Sequence, residues 1–330
     1  MMDIRGFSEK GAWYKGNLHS HTTNSDGMLT PKESAELFKS RGYSFLCITD
    51  HDRYSDYSGE LGDENFLILP GYEASAVLYS GITLRRRIKV HHVNAILGTS
   101  EMQRRAVCGR PEHLEFLPQR VFFGSWNGAA VLQEVVGRME RCGFIAMYNH
   151  PVWSRVSEYE FTGTRGLFAM EIFNYNTVNE SGTGFDTLHW DLMLREGRRI
   201  LGAATDDNHN EGKFDDACGG WITVKSERLT HDEIITNILA GNYYSSSGPE
   251  IYDWGVKNGR AFVSCGAVSR VNFIAGGCVN DGASVLCGSP DETMEYAEYK
   301  LSGSESYLRA ECIDRYGRTA WTNPIFLRDQ

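Results

Sequence analysis

The chain lacks the long apolar runs of a membrane protein and the basic excess of a nucleic-acid binder. Its 330 residues are 41% hydrophobic and 23% charged, which is typical of a folded globular protein. No apolar run approaches the roughly 18 residues that a membrane span needs. Basic residues number 33 against 43 acidic ones, a formal net charge of −10. Because duplex binding needs a basic face, we expect neither a membrane nor a nucleic-acid duplex as partner.

Several local fingerprints are also missing. The eight cysteines form no C-x-x-C pair, so we expect reduced and mostly buried thiols. The glycines form neither a Walker nor a dinucleotide-binding fingerprint, and no serine or cysteine lies in a motif for covalent catalysis. The N-terminal residues show no apolar stretch behind a basic start. The sequence therefore predicts a cytoplasmic protein without a secretory signal.

The first 250 or so residues alternate short apolar runs with amphipathic stretches, which is typical of βα units around a parallel sheet. Capping boxes at Thr30 and Thr230 predict two helix starts. The segment from Tyr79 to Gln119 lacks periodicity and is predicted to hold one strand and a long excursion. Seven strands are predicted, at 13–18, 45–49, 66–69, 93–97, 144–148, 168–173 and 200–204. Four helices are predicted, at about 31–41, 129–141, 185–196 and 231–241.

The pattern changes after Gly248-Pro249. Short runs of loosely alternating apolar residues follow, and turn signals such as Asn258-Gly259 and Asp281-Gly282 separate them. We therefore predict two domains, one over residues 1–249 and a small antiparallel β domain of the sandwich type over residues 250–330.

Histidines accompanied by carboxylates fall at the ends of the predicted strands. His19 and His21 close the first strand, and because a strand alternates faces with period two, both imidazoles project to one side. If the strands close into a barrel, their carboxyl ends meet at one rim. Imidazole and carboxylate ligands at this density suit zinc, manganese or iron. The other sets are Asp26, Asp50-His51, Glu73, His91-His92, Asn149-His150-Pro151 and Asp207-Asn208-His209.

These motifs resemble the signature of the polymerase and histidinol phosphatase (PHP) superfamily. The resemblance covers about residues 13–225 and follows the superfamily's order of motifs. Its implied fold is α/β, a distorted (β/α)7 TIM-like barrel followed by a small all-β domain, with up to three divalent metals. Tyr244–Pro249 and Trp321–Pro324 resemble members with a C-terminal β domain, including the carbaryl-hydrolase-like branch. The matching motifs are 16–22, 25–27, 48–51, 71–73, 92–94, 149–151 and 207–209.

The resemblance implies three sets of metal ligands with one shared carboxylate. One metal would take His19, His21, Glu73 and Asp207. A second would share Glu73 with His92 and His150, and a third would take Asp26, His51 and His209. His91 competes with His92, and Asp206 competes with Asp207; the following Val-Asn favours His92 and the Asp-x-His spacing favours Asp207. Asp50, Asp52 and Asp206 are candidates for orienting imidazole N–H groups.

The implied chemistry is hydrolysis. A water bridging two metals loses a proton near neutral pH and becomes the nucleophile, held here by Glu73, Asp207 and His150. A phosphate ester offers several anionic oxygens to the remaining coordination positions. The predicted function is therefore a metal-dependent phosphoesterase acting on a small phosphomonoester or nucleotide. The alternatives are a carboxylic ester, carbamate or amide hydrolase on the same cluster, and a non-catalytic metal-binding protein.

Cationic and aromatic residues near the motifs are candidates for substrate binding. Arg155 lies just beyond His150-Pro151, and Lys213 lies just beyond the last motif. The run Arg85-Arg86-Arg87 matches the needs of a phosphate clamp but also those of a solvated basic loop. Trp153 is a candidate for stacking on an aromatic leaving group. An oligomer is compatible with the sequence.

Overall fold

The computed structural model describes residues 3–80, 86–108, 119–122 and 126–328, with the backbone alone at 119–122. The first eleven strands are β1 (Ile4–Arg5), β2 (Ala12–Asn17), β3 (Phe45–Ile48), β4 (Leu67–Tyr79), β5 (Arg87–Leu97), β6 (Gln119–Phe122), β7 (Phe144–Tyr148), β8 (Leu167–Asn174), β9 (Leu201–Thr205), β10 (Trp221–Ser226) and β11 (Tyr243–Ser246). The C-terminal strands are β12 (Ile251–Lys257), β13 (Arg260–Val268), β14 (Arg270–Gly276), β15 (Ala283–Leu286), β16 (Met294–Lys300), β17 (Tyr307–Ile313), β18 (Thr319–Thr322) and β19 (Ile325–Phe326).

Helices are few beside these strands. They are α1 (Pro31–Ser40), α2 (Ser58–Leu61), α3 (Ser100–Arg105), α4 (Gly128–Arg141), α5 (Tyr175–Ser181), α6 (Thr187–Arg195) and α7 (His231–Leu239). The capping box predicted at Thr30 is present, since the Glu33 N–H donates to Thr30 Oγ1 and the Thr30 N–H donates to Glu33 Oε2. Helix α7 begins after Thr230 as predicted but without that box, because the Glu233 carboxylate pairs with Arg228 instead.

The fold is α/β and is built on one large mixed sheet. Its central strands run in the order β2-β3-β4-β5-β7-β8-β9; β5 is antiparallel to both of its neighbours, and the other pairs are parallel. The two ends of this run also meet. Ser20, beyond β2, bridges Asn208, beyond β9, and the Asp207 N–H donates to the His19 carbonyl at 3.0 Å. The residues that follow β2 and β9 are therefore hydrogen-bonded side by side.

Two strands, β4 and β5, are much longer than the sequence predicts. Strand β4 continues ten residues beyond the predicted end at Leu69, and β5 begins six residues before the predicted start at Val93. The reason is an antiparallel pairing of β4 with β5, from Gly71 opposite Ile96 to Tyr79 opposite Arg87. Glu73 and His92 thus lie inside strands and not at strand ends. Because β5 runs in the opposite direction, the first half of β5 carries the histidines toward the motif residues of the other strands.

The C-terminal strands are antiparallel, as predicted. Strands β1, β12, β13 and β16 form a separate four-stranded sheet, whereas β18 pairs with β11 and so joins β14, β15 and β17 to the large sheet. A buried apolar cluster that includes Trp254, Val263, Phe273 and Leu308 combines residues of both sheets. A domain boundary at residues 249/250 stays a proposal.

Cys108 and Cys142 are joined by a disulfide, and the other six cysteines are free. The expectation of reduced thiols is therefore wrong for this pair. The two cysteines are 34 residues apart in the sequence, and no spacing rule connects them. The predicted cytoplasmic location stays a prediction. Among the described residues, no helix has the length and apolar character needed to cross a membrane.

Candidate metal centre

The nine predicted ligands lie together in one cluster, in which six are buried, His51 and His209 are partly buried and Asp26 is exposed. They form four groups of side chains, and within each group the nitrogen and oxygen atoms lie within 4.8 Å of one another. The groups are His21, Asp26, His51 and His209; His19, His21 and Asp207; His19, Glu73 and His150; and His51, Glu73 and His92.

The first motif is held by the strand that precedes it. Asn17, the last residue of β2, accepts the His19 N–H with its side-chain oxygen and donates its amide to the His19 carbonyl at 2.9 Å. His19 and His21 therefore point to the same side, as the period of two predicts. Their Nε2 atoms lie 3.1 Å apart, and each is within 3.1 Å of Asp207 Oδ1.

Glu73 lies at the middle of the cluster and is fully buried. Its Oε1 is 3.3 Å from His19 Nε2, 3.2 Å from His92 Nδ1 and 3.4 Å from His150 Nε2. Its Oε2 is 2.9 Å from His51 Nδ1. His21 Nε2 also lies 3.5 Å from Oε2, and this position among five imidazoles agrees with the bridging role that the resemblance implies for Glu73.

Several of these buried atoms make no hydrogen bond within the described residues. Glu73 Oε2, His51 Nδ1 and His92 Nδ1 have no partner of hydrogen-bond geometry, although they lie close together. Unpaired buried polar atoms are costly, and a cation between them would satisfy their lone pairs. The donor set of imidazoles and carboxylates also suits divalent metals. The residues therefore fit the metals that the resemblance implies.

The histidines of the cluster differ in their pKa values, which are raised at some positions and lowered at others. Burial alone would lower the pKa of His150, but its hydrogen bond to Glu73 and the charge of Asp207 raise that pKa to about 9. Burial is likewise outweighed at His209, where the hydrogen bond to Asp26 and the charge of Asp207 raise the pKa to about 9. Burial and the neighbouring charges of His209 and His51 lower the pKa of His21 to about 4. His150 and His209 therefore carry protons at pH 7 in the metal-free protein.

Metal binding at pH 7 is expected to release protons. A histidine must be neutral to bind a metal, and the pKa values of His150 and His209 are raised to about 9. The apparent metal affinity should therefore increase as the pH rises from 7 to 9 and then level off. Calorimetric titration of the metal-free protein in buffers of different ionisation enthalpy measures the released protons. Binding without net proton release would contradict these pKa values.

The structure selects between the alternatives at two positions. His92 faces Glu73, whereas His91 stacks on Trp126 with ring centroids 5.2 Å apart and bonds Tyr148 Oη through Nδ1. Asp207 lies against His19 and His21, while Asp206 points elsewhere. His92 and Asp207 are therefore the members of each pair that enter the cluster.

The three acids predicted to orient imidazoles accept hydrogen bonds from other groups instead. Asp50 accepts hydrogen bonds from Thr22 and Ser25 and so holds the loop that carries Asp26. Asp206 accepts the backbone N–H groups of residues 218–220, and burial raises its pKa to about 7. Asp52 accepts the Ser75 N–H. The predicted role is corrected for all three, because none of these carboxylates bonds an imidazole among the described residues.

The acid that does orient an imidazole is Glu171, which the sequence analysis missed. Its Oε1 lies 2.6 Å from His19 Nδ1. Glu171 belongs to no motif, but one signal was available: it is the charged residue in the middle of the apolar strand β8. A fully buried carboxylate requires partners.

A cavity of about 280 Å³ opens onto the cluster. Of the two residues predicted to bind substrate, one lines this cavity and the other does not. Lys213 lines the cavity, and its ammonium group pairs with Glu211. Arg155 is exposed and does not line it. Arg87 and Trp153 also line the cavity, and the Trp153 ring lies 5.1 Å from that of His150. Arg85 lies outside the described residues.

No family model matches the chain. The DNA polymerase/3'-5' exonuclease PolX of Bacillus subtilis is 48% identical over 40 residues, which are 12% of this chain and only 7% of that protein. A two-domain protein of Bacteroides vulgatus containing a predicted PHP-like metal-dependent phosphoesterase has a TM-score of 0.45 and 11% identity, over 100% of this chain and 90% of that one. An amidohydrolase from Chromobacterium violaceum, with bound sulfate and no metal, has a TM-score of 0.41 and 16% identity, over 69% of this chain and 96% of that one.

Two observations bear on the predicted resemblance to the PHP superfamily, and none bears on the predicted branch. The carbaryl-hydrolase-like branch stays a prediction. The nine motif residues gather in one centre, and a segment of the chain is shared with PolX. The resemblance of the sequence motifs to the PHP superfamily is supported by this shared segment and by the gathering of the motif residues.

Proposed function

We propose that this protein is a metal-dependent phosphoesterase that hydrolyses a small anionic phosphate ester, a phosphomonoester or a nucleotide. The proposal includes a distorted seven-stranded barrel made of β2–β5 and β7–β9. It also includes up to three divalent ions of zinc, manganese or iron. The observation that carries it is the opening of one cavity onto both the nine-residue cluster and a cationic side chain.

The chain's own residues supply the metal ligands and a closed environment. Glu73 and Asp207 bring buried carboxylates between the imidazoles, and the charges of those imidazoles keep the pKa values of both carboxyls low in spite of burial. Divalent ions bound there would activate a water and stabilise charge on the substrate's oxygens. Trp153 covers one side of the cavity beside His150. Its indole N–H donates to Glu180 at 2.6 Å, which fixes the ring.

Arg87 is the side chain that favours an anionic substrate. It lines the same cavity as the cluster, and no carboxylate of the described residues lies within salt-bridge distance of it. Lys213, the other cation in the lining, is paired with Glu211. An unpaired guanidinium binds phosphate oxygens in a bidentate way. Arg87 therefore replaces Arg155 as the proposed anion-binding residue.

Replacing Arg87 with alanine is expected to weaken substrate binding more than turnover. One charge-assisted contact contributes about 1.5–3 kcal/mol, so kcat/KM should fall about 10- to 100-fold, mainly through KM. Steady-state kinetics on a phosphomonoester measure both constants. Arg155→Ala is the matched control, with an unchanged kcat/KM expected. Equal effects of the two substitutions would contradict the role of Arg87.

A substrate screen of the manganese- and zinc-loaded protein tests the proposed function. The panel contains p-nitrophenyl phosphate, its diesters, nucleotides, carboxylic esters, carbamates and amides. Turnover of phosphate esters above all other classes is the expected result. Turnover of carboxylic esters, carbamates or amides without phosphatase activity under the same metal loading would overturn it. Bound metal with no turnover of any class would favour the non-catalytic alternative.

A further inference from the structure

Glu171 is not a predicted ligand, but it bonds two predicted ligands directly and reaches a third through Asn174. It lies in the middle of β8 and is fully buried. Its Oε1 accepts hydrogen bonds from His19 Nδ1 and Thr205 Oγ1, both at 2.6 Å. Its Oε2 accepts the His150 N–H and the Asn174 side-chain amide, both at 3.0 Å. His19 and His150 are predicted ligands, the Asn174 amide also bonds Asp207, and Thr205 lies two positions before Asp207.

The contact with His19 fixes which ring nitrogen carries the proton. A carboxylate oxygen accepts, so the proton of a neutral His19 ring lies on Nδ1. The lone pair of Nε2 is then free, and this atom faces Glu73 Oε1 at 3.3 Å and Asp207 Oδ1 at 3.1 Å. A carboxylate behind a ligand imidazole both orients the ring and increases its basicity.

The contacts with His150 and Asn174 position two further ligands. His150 has a φ of +25°, which is unusual for a residue other than glycine, and Glu171 accepts the N–H at this strained point. The Asn174 amide donates to both Glu171 Oε2 and Asp207 Oδ2, each at 3.0 Å. Glu171 thus holds His19 and His150 directly and Asp207 through Asn174.

The group formed by Asp26, His51 and His209 is held by other residues. The His209 N–H donates to Asp216 at 2.7 Å, and Asn176 lies 3.0 Å from His209 Nδ1. Asp50 holds the loop that carries Asp26. No hydrogen bond to Glu171 reaches this group within the part of the chain that the structure describes. Loss of Glu171 should therefore affect one side of the centre and not the other.

We propose that Glu171 is a positioning residue that sets metal affinity selectively at the side of the centre formed by His19, His150 and Asp207. The proposal rests on the proposed function only in that the centre binds divalent metals. It requires no particular substrate. Glu171→Gln keeps nearly the same side-chain shape but removes the negative charge and one of the two acceptor oxygens, whereas Glu171→Leu removes both acceptors.

The first measurement is the protonation pattern of His19 in the metal-free protein, by ¹⁵N NMR of the imidazoles at a pH where His19 is neutral. The wild type should carry the His19 proton on Nδ1. Glu171→Leu should move it to Nε2, because no acceptor then faces Nδ1, while the Glu73 and Asp207 carboxylates face Nε2. A merely structural role would not produce this exchange. An unchanged Nδ1–H tautomer in the variant would overturn the proposal.

The second measurement is a zinc titration of the metal-free proteins. Glu171→Gln should weaken binding about 10- to 100-fold at the sites that use His19, with an unchanged affinity at the site of Asp26, His51 and His209. Asp186→Asn is the matched control, since Asp186 is also buried and also pairs with a histidine, His189, at 3.0 Å. It should bind zinc as the wild type does. Equal weakening at every site, or none at any site, would contradict the proposal.

These results separate the failure of this inference from the failure of the proposed function. Both measurements are made without substrate, so a protein that hydrolyses carboxylic esters instead of phosphates would still give the expected tautomer and affinities. A protein that hydrolyses phosphate esters but keeps its His19 tautomer in Glu171→Leu would refute the role of Glu171 alone.

Discussion

Replacing His19 and His21 together with alanine is expected to lower the metal content and to abolish hydrolysis. The two residues enter three of the four groups of candidate ligands, so their loss leaves only the group of His51, Glu73 and His92 intact. Metal ions contribute several kcal/mol to catalysis of this type, which corresponds to a loss of about 10³-fold or more in kcat. Metal content by elemental analysis and kcat on a phosphate ester are the two readouts.

The control for this double substitution is His231→Ala. His231 pairs with Asp232 at the start of α7 and enters none of the four groups. Its replacement should leave metal content and turnover unchanged. Circular dichroism establishes that the double variant is folded. Persistent hydrolysis by the folded double variant would mean that the activity resides at another site.

Trp321→Ala is expected to destabilise the whole protein by about 3–5 kcal/mol. Trp321 lies on β18 in the C-terminal region and is 3% exposed. Its ring is 5.6 Å from that of Phe173 on β8, and it belongs to the same buried cluster as Trp190. Truncation would therefore leave a cavity between the C-terminal strands and the strands that carry the metal ligands. Urea unfolding followed by circular dichroism measures the loss.

Tyr316→Ala is the matched control, because Tyr316 lies in the turn before β18 and is 75% exposed. Its effect should stay within about 0.5 kcal/mol. A loss below about 1 kcal/mol for Trp321→Ala, or a second unfolding transition in the wild type, would show instead that residues 250–330 form an independent unit.

The sequence predicts the central strands well because their apolar runs are short and bounded. Strand β7 has the predicted limits, and α1 begins at Pro31 as its capping box indicates. The prediction failed at the hairpin of β4 and β5. Length and direction of these strands depend on pairing between distant residues, such as Glu73 opposite Asn94. A single chain read in order contains no signal for that register.

The candidate centre was predictable for a different reason. Each ligand lies in a short motif, such as the two histidines around Ser20, so that local sequence identifies it. Residues that act through contacts across the fold have no such motif. Glu171 meets His19 across 152 positions, and Arg87 reaches the cavity because β5 runs in the opposite direction. Arg155 was selected by its closeness in sequence to His150, but it is exposed and does not line the cavity.

Anomalous scattering from crystals of the zinc-loaded protein, combined with elemental analysis, tests the central claim most directly. The account predicts up to three zinc ions, each bound by side chains from the set His19, His21, Asp26, His51, Glu73, His92, His150, Asp207 and His209. Zinc absent from this cluster at saturating concentration, or bound only at other residues, would contradict it.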